Sequence, residues 1–466
     1  MEALFGGEIA KERITFNEET LWTGGPGTSA SYKGGNNDSK GRNGATLREL
    51  NKKLEQGAQT VNPSNLTGGE NAAEQGSYQN WGNIYIDYGL GTQPAENYER
   101  SLNLSEGKAN VSFRSGQVDY KREFLVSNPD NVMVVSLTAS QAKALNLKVT
   151  FPTNSGFTKK GETTTVTGDT LTVKGALGNN GLLYNAKIKA VVEGAEGSVS
   201  SDDGKALKIS DAGAVTLYIA AGTNYQNTYP SYRNGEDAKA LDTRLAANVQ
   251  KAANKGYAQV KKDHIADHQS IYNRVKLDLG QDPTYGDGAL ATDKLLQAYK
   301  AGSADEKQKR ALEVLVYNYG RYLTIGSSRE NSQLPSNLQG IWSSTADDNA
   351  HGKTPWGADF HMNVNLQMNY WPTYSANMAE LATPMISYAK SLVKPGRVTA
   401  KTYAGASSKP DAPIGQGAGI WRIPRTPPTV GPPPVRTFLG AGARLQCLGC
   451  CKTCTRHTSL VAINNS

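Results

Sequence analysis

The stretch Trp356-Gly-Ala-Asp-Phe-His-Met-Asn-Val-Asn-Leu-Gln-Met-Asn-Tyr-Trp371 crowds amides, one imidazole, one carboxylate and two indoles into a short segment. Flat aromatic faces suit the C–H surfaces of a sugar, and fixed polar groups suit its hydroxyls. Asn-rich stretches also make turns and buried Trp fills cores, so packing alone is the alternative for any one such stretch. In His361-Met-Asn363-Val-Asn365, alternate residues would share a side if the backbone is extended, which would aim His361, Asn363 and Asn365 into one cleft. An Asn amide takes up no proton near neutral pH, so neither Asn is a general base. Its carbonyl can hold a water that a nearby carboxylate activates. Two further segments hold more polar and aromatic residues than packing asks for: Phe16-Asn-Glu-Glu-Thr-Leu-Trp-Thr-Gly-Gly-Pro-Gly27 and Ser327-Ser-Arg-Glu-Asn-Ser-Gln-Leu-Pro-Ser-Asn-Leu-Gln-Gly-Ile-Trp342.

The elements that must position these segments change character along the 466 residues, a length that predicts two or three domains. From about Gly6 to Asn224, short β-rich runs alternate with Gly, Asn and Asp turns, as in Asn131-Val-Met-Val-Val-Ser-Leu-Thr and Leu145-Asn-Leu-Lys-Val-Thr-Phe. Thr163-Thr-Thr-Val-Thr, Gly168-Asp169 and Thr170-Leu-Thr-Val read as a hairpin with a Gly-first two-residue turn. So many strands predict a sandwich. A helical segment is expected over roughly 236–276, with Leu241, Leu245 and Val249 on one face. Beyond it, Leu312, Leu315, Val316, Tyr319 and Leu323 predict the buried face of a second helix, and Met378 to Val393 predicts another.

Composition narrows the function classes. Hydrophobic residues are 38%, and 49 glycines with 20 prolines indicate many turns. No apolar run is long enough to span a membrane, and no secretory signal is visible after Met1. The charge of +8 would suggest a nucleic-acid partner, but six Lys or Arg and no Asp or Glu lie between Gly419 and Ser466. The other 418 residues carry only +8 − 6 = +2. No nucleic acid, metal or cofactor is therefore expected as a partner of the body of the chain. All four cysteines, Cys447, Cys450, Cys451 and Cys454, also fall in this tail. Two Cys-x-x-Cys pairs near His457 have zinc-knuckle spacing, yet they abut with no loop that would let four sulfurs surround one ion.

The Asn17-Glu-Glu-Thr-Leu-Trp-Thr-Gly-Gly-Pro26, Leu334-Pro-Ser-Asn-Leu-Gln-Gly-Ile-Trp342 and Trp356–Trp371 segments resemble signature segments of family 95 glycoside hydrolases. Weaker matches, Tyr120-Lys-Arg-Glu-Phe and Asn128-Pro-Asp-Asn-Val-Met-Val-Val, extend the resemblance over roughly residues 1–418. It implies a multidomain β + α fold with an N-terminal β-sandwich over 1–235, a helical linker over 236–285 and an incomplete (α/α)6 barrel over 286–418. It also implies inverting hydrolysis of terminal α-1,2-linked L-fucose from a fucosylated oligosaccharide or glycan, in a secreted or cell-surface bacterial setting. In such a mechanism a Glu protonates the leaving oxygen, and an Asp helped by two Asn activates water on the opposite face. The two asparagines map onto Asn363 and Asn365, and His361 onto a position that contacts the sugar. Trp356 and Asp359 share the motif, as substrate contacts or as structural support. The sequence does not indicate how many subunits assemble.

The resemblance places the acid Glu and the base Asp well downstream of Asn365. After Glu380 the only carboxylate is Asp411, in a Pro-, Gly- and Ser-rich stretch that matches neither position. Glu330 and Asp359 are the local candidates, each within a motif of its own. The expectation is a frameshift near residue 418, because Thr437 to Arg456 read one nucleotide out of frame can encode a family-like continuation. Residues 419–466 are then a non-native tail, and the alternative to a glycosidase of α-L-fucosidase type is a catalytically inactive fragment that at most binds sugar. The abrupt start at Leu4-Phe-Gly-Gly predicts a missing N-terminus as well.

Overall fold

The computed structural model describes residues 2–34, 36–58, 76–91, 94–152, 159–281, 290–343, 355–362 and 364–405. The expectations for Asp411, for the frameshift and for the cysteine tail lie outside these residues.

Two antiparallel sheets fill the first half. The six-stranded sheet runs β1 (Glu2–Phe5), β2 (Lys11–Asn17), β3 (Gly82–Asp87), β8 (Leu145–Thr150), β13 (Ala206–Ala212), β12 (Ser198–Asp202). The eight-stranded sheet runs β4 (Glu96–Asn103), β5 (Lys108–Ser115), β6 (Val118–Ser127), β7 (Val132–Ala139), β14 (Ala214–Thr223), β11 (Leu183–Glu193), β10 (Thr170–Leu177), β9 (Lys159–Thr167). The expected hairpin is present: Thr167 pairs with Thr170 across Gly168-Asp169, and Gly168 takes the positive φ of 59° that a Gly-first turn needs. Two helices, α1 (Asp38–Gly41) and α2 (Ala45–Glu55), interrupt the strands.

Strand β7 shows why its sequence is apolar throughout. Met133, Val135 and Leu137 face the core between the sheets, while Val132 and Val134 face a second cluster with Leu241, Leu245, Val249 and Ala252. A strand covered on both faces needs no alternation. The second cover is α3 (Ala238–Lys255), capped by Asp237, whose side chain accepts from the Ala240 N–H. Each fully buried aliphatic side chain here contributes about 1.5–3 kcal/mol. The helical segment expected over 236–276 is in fact two helices. Gly256, at φ 80° and ψ 154°, separates α3 from α4 (Tyr257–Tyr272).

Arg122 on β6 and Glu12 on β2 form an ion pair shut off from solvent, 3.3 Å apart. The Arg122 guanidinium also donates to the Glu8 and Ile9 carbonyls and lies 3.6 Å from the centre of the Tyr88 ring. Burial raises the Glu12 carboxyl, and the N–H groups of Gly6 and Gly7 with the Arg122 charge oppose that rise.

The second half is helical: α5 (Thr292–Ala301), α6 (Glu306–Ser327), α7 (Asn365–Ser375), α8 (Thr383–Ser391) and α9 (Val393–Ala404). Helix α6 opens with a capping box between Asp305 and Gln308. Its buried face differs from the expected one. Ala311, Val314, Arg321 and Ile325 are buried, whereas Leu312, Leu315 and Leu323 are half-buried and Val316 and Tyr319 are exposed. The physical reason is Arg321, which turns inward because its guanidinium donates to the Tyr272 and Val275 carbonyls at the end of α4 and lies 5.0 Å from the Tyr272 ring centre. The helix expected over Met378–Val393 is present as a 3-10 turn, Ala379–Ala382, running into α8. Among the described residues, no helix is long and apolar enough to cross a membrane.

Candidate active site

The three segments singled out in the sequence meet where the sandwich touches the helical half. The first leaves β2 at Asn17, whose buried side-chain amide donates to the Ser343 carbonyl, 3.2 Å away, and the Asn80 amide donates to the same oxygen. Glu18 is buried and its carboxylate accepts from the Thr20 N–H and hydroxyl. Burial pushes its carboxyl upward. Half-buried Glu19 accepts from the Gln333 N–H at 2.9 Å, and burial with the neighbouring Glu18 charge pushes its carboxyl up to about 7. Trp22 is buried, donates from its indole to the Glu19 carbonyl, and packs against Tyr78 and Phe360 at ring separations of 5.2 and 5.4 Å.

The second segment follows α6 and is held by a chain of hydroxyls. The Ser336 N–H donates to the Tyr370 hydroxyl, and the Ser328 hydroxyl donates to the Leu381 carbonyl. Ser328 has one proton to give, so across their 2.9 Å contact Tyr370 is the donor. Tyr78 from the sandwich side donates its hydroxyl to the Ile341 carbonyl at 2.7 Å and its backbone N–H to the Gly357 carbonyl at 3.0 Å. Tyr78 therefore fastens the second and third segments together.

In the third segment, a 3-10 turn over Pro355–Ala358 delivers Asp359 into the interior, where its backbone carbonyl accepts from the Leu338 N–H. The Asp359 carboxylate contacts His361 Nδ1. A carboxylate on Nδ1 fixes the ring's orientation and tautomer, so Nε2 is the ring atom that can address a ligand hydroxyl. Phe360 is sandwiched between Trp22 and Tyr388, the latter at 4.8 Å.

The backbone here corrects the extended reading of His361–Asn365. The Leu366 N–H closes onto the His361 carbonyl at 2.8 Å and Asn365 is already the first residue of α7, so the segment is a turn entering a helix. His361 and Asn365 are therefore not related as alternate residues of a strand. His361 is half-buried, Asn365 is exposed on the first turn, and Asn369, one turn later on the same face, donates to the Asn337 carbonyl. Asn363 lies outside the described residues, and for Trp356 only the backbone within the 3-10 turn is described. Of the local carboxylates, Asp359 is committed to His361 and Glu330 sits exposed on a turn.

Sequence reasoning missed the sandwich-side supports Tyr78 and Asn80 and the hydroxyl node Tyr370. Tyr370 was inside a quoted motif, but nothing in the sequence separated it from Trp371, which is exposed. Among the described residues, no group of His, Cys, Asp and Glu is arranged to hold a metal ion.

Comparison with known proteins follows the same division. Residues 1–228 match the family model "Glycosyl hydrolase family 65, N-terminal domain", and residues 256–422 match "Glycosyl hydrolase family 95 catalytic domain". The chain is 32% identical to "Probable alpha-fucosidase A" of Aspergillus niger over 410 residues, 86% of this chain and 48% of that protein. It is 31% identical to "Alpha-L-fucosidase 2" of Arabidopsis thaliana over 426 residues, 87% of this chain and 48% of that protein. The chain thus spans about half the length of the curated relatives it matches. A solved structure described as "Putative kojibiose phosphorylase from human microbiome" superposes with a TM-score of 0.50 at 11% identity, over 82% of this chain and 46% of that one. At that identity the likeness concerns the fold alone: a sandwich followed by helices of an (α/α)-barrel type. By the match of residues 256–422 and the similarity to both fucosidases, the helical half belongs to the catalytic domain of glycoside hydrolase family 95.

Proposed function

We propose that this chain carries the sugar-holding side of an inverting α-L-fucosidase that removes terminal α-1,2-linked L-fucose from glycans. The observation that carries the reading is the Asp359–His361 pair, a buried carboxylate orienting a half-buried imidazole beside an Asn-rich turn. His361 then binds a fucose hydroxyl, Asp359 holds the ring, and Asn363 and Asn365 hold the attacking water by their carbonyls. Trp356 supplies an apolar face to the sugar. The names of the fucosidase relatives support this choice of substrate class.

Inversion needs a protonated carboxyl on the leaving oxygen and a carboxylate on the water, roughly 6.5–9.5 Å apart. Asp359 is engaged with His361 and Glu330 faces solvent, so neither is offered as one of that pair, and the alternative is that these residues bind the sugar without cleaving it. Incubation with 2'-fucosyllactose, followed by proton NMR, separates the two. Release of β-L-fucose as the first-formed anomer supports the hydrolase. Release of the α-anomer would contradict inversion, and binding of L-fucose without release leaves the binding reading alone. Fucose that neither binds nor is released, or whose binding is unchanged in His361→Ala, would defeat both.

A further inference from the structure

We propose that His264 and His268 form an acid-sensitive latch that holds α4, and through it the Arg329 segment, against the turn between β4 and β5. The two histidines stand four residues apart on one face of α4, and each is only 5% exposed. Their Nε2 atoms meet the Gly107 and Leu104 carbonyls of the turn at 3.1 and 2.8 Å. A carbonyl only accepts, so each Nε2 carries a proton and each neutral ring donates across the seam between sandwich and helix. Gly107, at φ 61°, lets the turn lie against the His268 ring, because a Cβ there would come within 2.9 Å of Nδ1. On its other sides His268 stacks on Tyr272 at 5.6 Å and meets Tyr322 of α6 at 6.2 Å.

The charges around the pair are already matched. Asp267 of α4 pairs with Arg329 at 2.8 Å, Glu106 of the turn pairs with Lys108 at 3.0 Å, and Glu123 of β6 is shared by Lys108, Lys121 and Lys261. Among the described residues, neither imidazole has a carboxylate within ion-pair distance. Protonating both rings would therefore set two cations 6.1 Å apart between ring centres, close to Arg329, with no anion to spare. Burial pushes the His268 imidazole down to about 4, with His264 and Arg329 adding to it and the Leu104 carbonyl opposing, and burial lowers His264 as well. A base held below its ordinary 6.5 stabilises the closed latch fully above pH 6.5 and loses that contribution as pH falls toward about 4. Release of α4 then loosens the Asp267–Arg329 tie to the second signature segment. The latch stands whether or not the chain hydrolyses a glycoside.

Hydrogen exchange on the full chain, corrected for the intrinsic effect of pH, tests this. Protection of the α4 amides should fall about a hundredfold between pH 7 and pH 4, the proton uptake implied by a shift from 6.5 to about 4, while α3, which carries no histidine, should change far less. The double variant His264→Gln, His268→Gln keeps an Nε2 donor for both carbonyls and removes the titration, so its α4 protection should stay level over the same range. Should that variant not fold, imidazole NMR of the unmodified chain gives a second reading, in which both rings should titrate below 6.5. Rings that titrate at 6.5 or above, α4 protection that tracks α3 down to pH 4, or a Gln variant as acid-sensitive as the unmodified chain would each overturn the latch.

Discussion

The sandwich and the helical half use similar apolar residues to different ends. In the sandwich, the two sheets close on each other and α3 covers the outer face of the larger one, so β7 and β14 are buried along most of their length. Among the described residues, the helical half packs on the sandwich side and carries exposed apolar side chains elsewhere. Phe360, Met362, Leu366, Tyr370, Met385, Tyr388 and Leu392 join the same continuous core as the sheets. Away from it, Val316 is 66% and Trp371 54% exposed, with Met368 and Tyr319 exposed as well. Single exposed apolar residues are ordinary, but several large ones on successive helices are a property of that face. The sheets and these helices thus share one core, and the exposed apolar side chains lie on α6 and α7 away from it.

Four experiments can break or sharpen this contrast. The largest effect should come from Arg122→Ala, which takes the cationic partner from buried Glu12 and leaves it only the Gly6 and Gly7 N–H groups. A loss of about 3–5 kcal/mol is expected in urea unfolding. A loss under 1 kcal/mol would show that the surroundings of this pair are wetter than described. Leu245→Ala removes the centre of the α3 cover and should cost about 2–4 kcal/mol. If limited proteolysis then attacks the helices before the strands, the dependence of one half on the other is supported; the reverse order contradicts it.

The third experiment concerns the junction. Glu19 has its carboxyl raised to about 7 from an ordinary 4.5, so the folded state favours the protonated form. Its contribution is fully present below pH 4.5 and is lost as pH rises through about 7. Partial solvent contact limits this to about 1–2 kcal/mol. Glu19→Gln should flatten the stability profile across that window and raise the melting temperature at pH 8. An unchanged slope would remove Glu19 from the junction's account. The smallest effect is expected from Val316→Asn, within about 0.5 kcal/mol in stability. Light scattering should show less self-association in this variant, and a cost above 1 kcal/mol would mean that the face is covered after all.

The strand half was legible because its signals are local. Gly168-Asp169 specifies a turn and the β-rich runs specify the strands around it. The α3 stripe of Leu241, Leu245 and Val249 was legible for the same reason, since leucines facing a sheet follow helical spacing. The face of α6 was not legible, because a buried Arg321 is polar in sequence and finds its carbonyl partners some fifty residues back along the chain. The site was half legible. Composition found the three segments, but a five-residue window cannot distinguish alternation from the start of a helix, and only the bond from Leu366 to His361 decides it. Tyr78 escaped because its role depends on two carbonyls nearly three hundred residues away.

Tyr78 and the Asn17–Gly27 segment belong by sequence to the sandwich, yet their hydrogen bonds and rings are spent on residues 333–360. For anyone recombining such proteins, the seam between modules does not run through α3 and α4. A chimera that takes its sandwich from one relative and its helices from another would pair a foreign Trp22 and Tyr78 with an unmatched Phe360 and Ile341, disturbing the footing of His361. The unit to transplant with the helices includes the first strap of the sandwich, even though more than two hundred residues of β-sheet and helix separate the two in the chain.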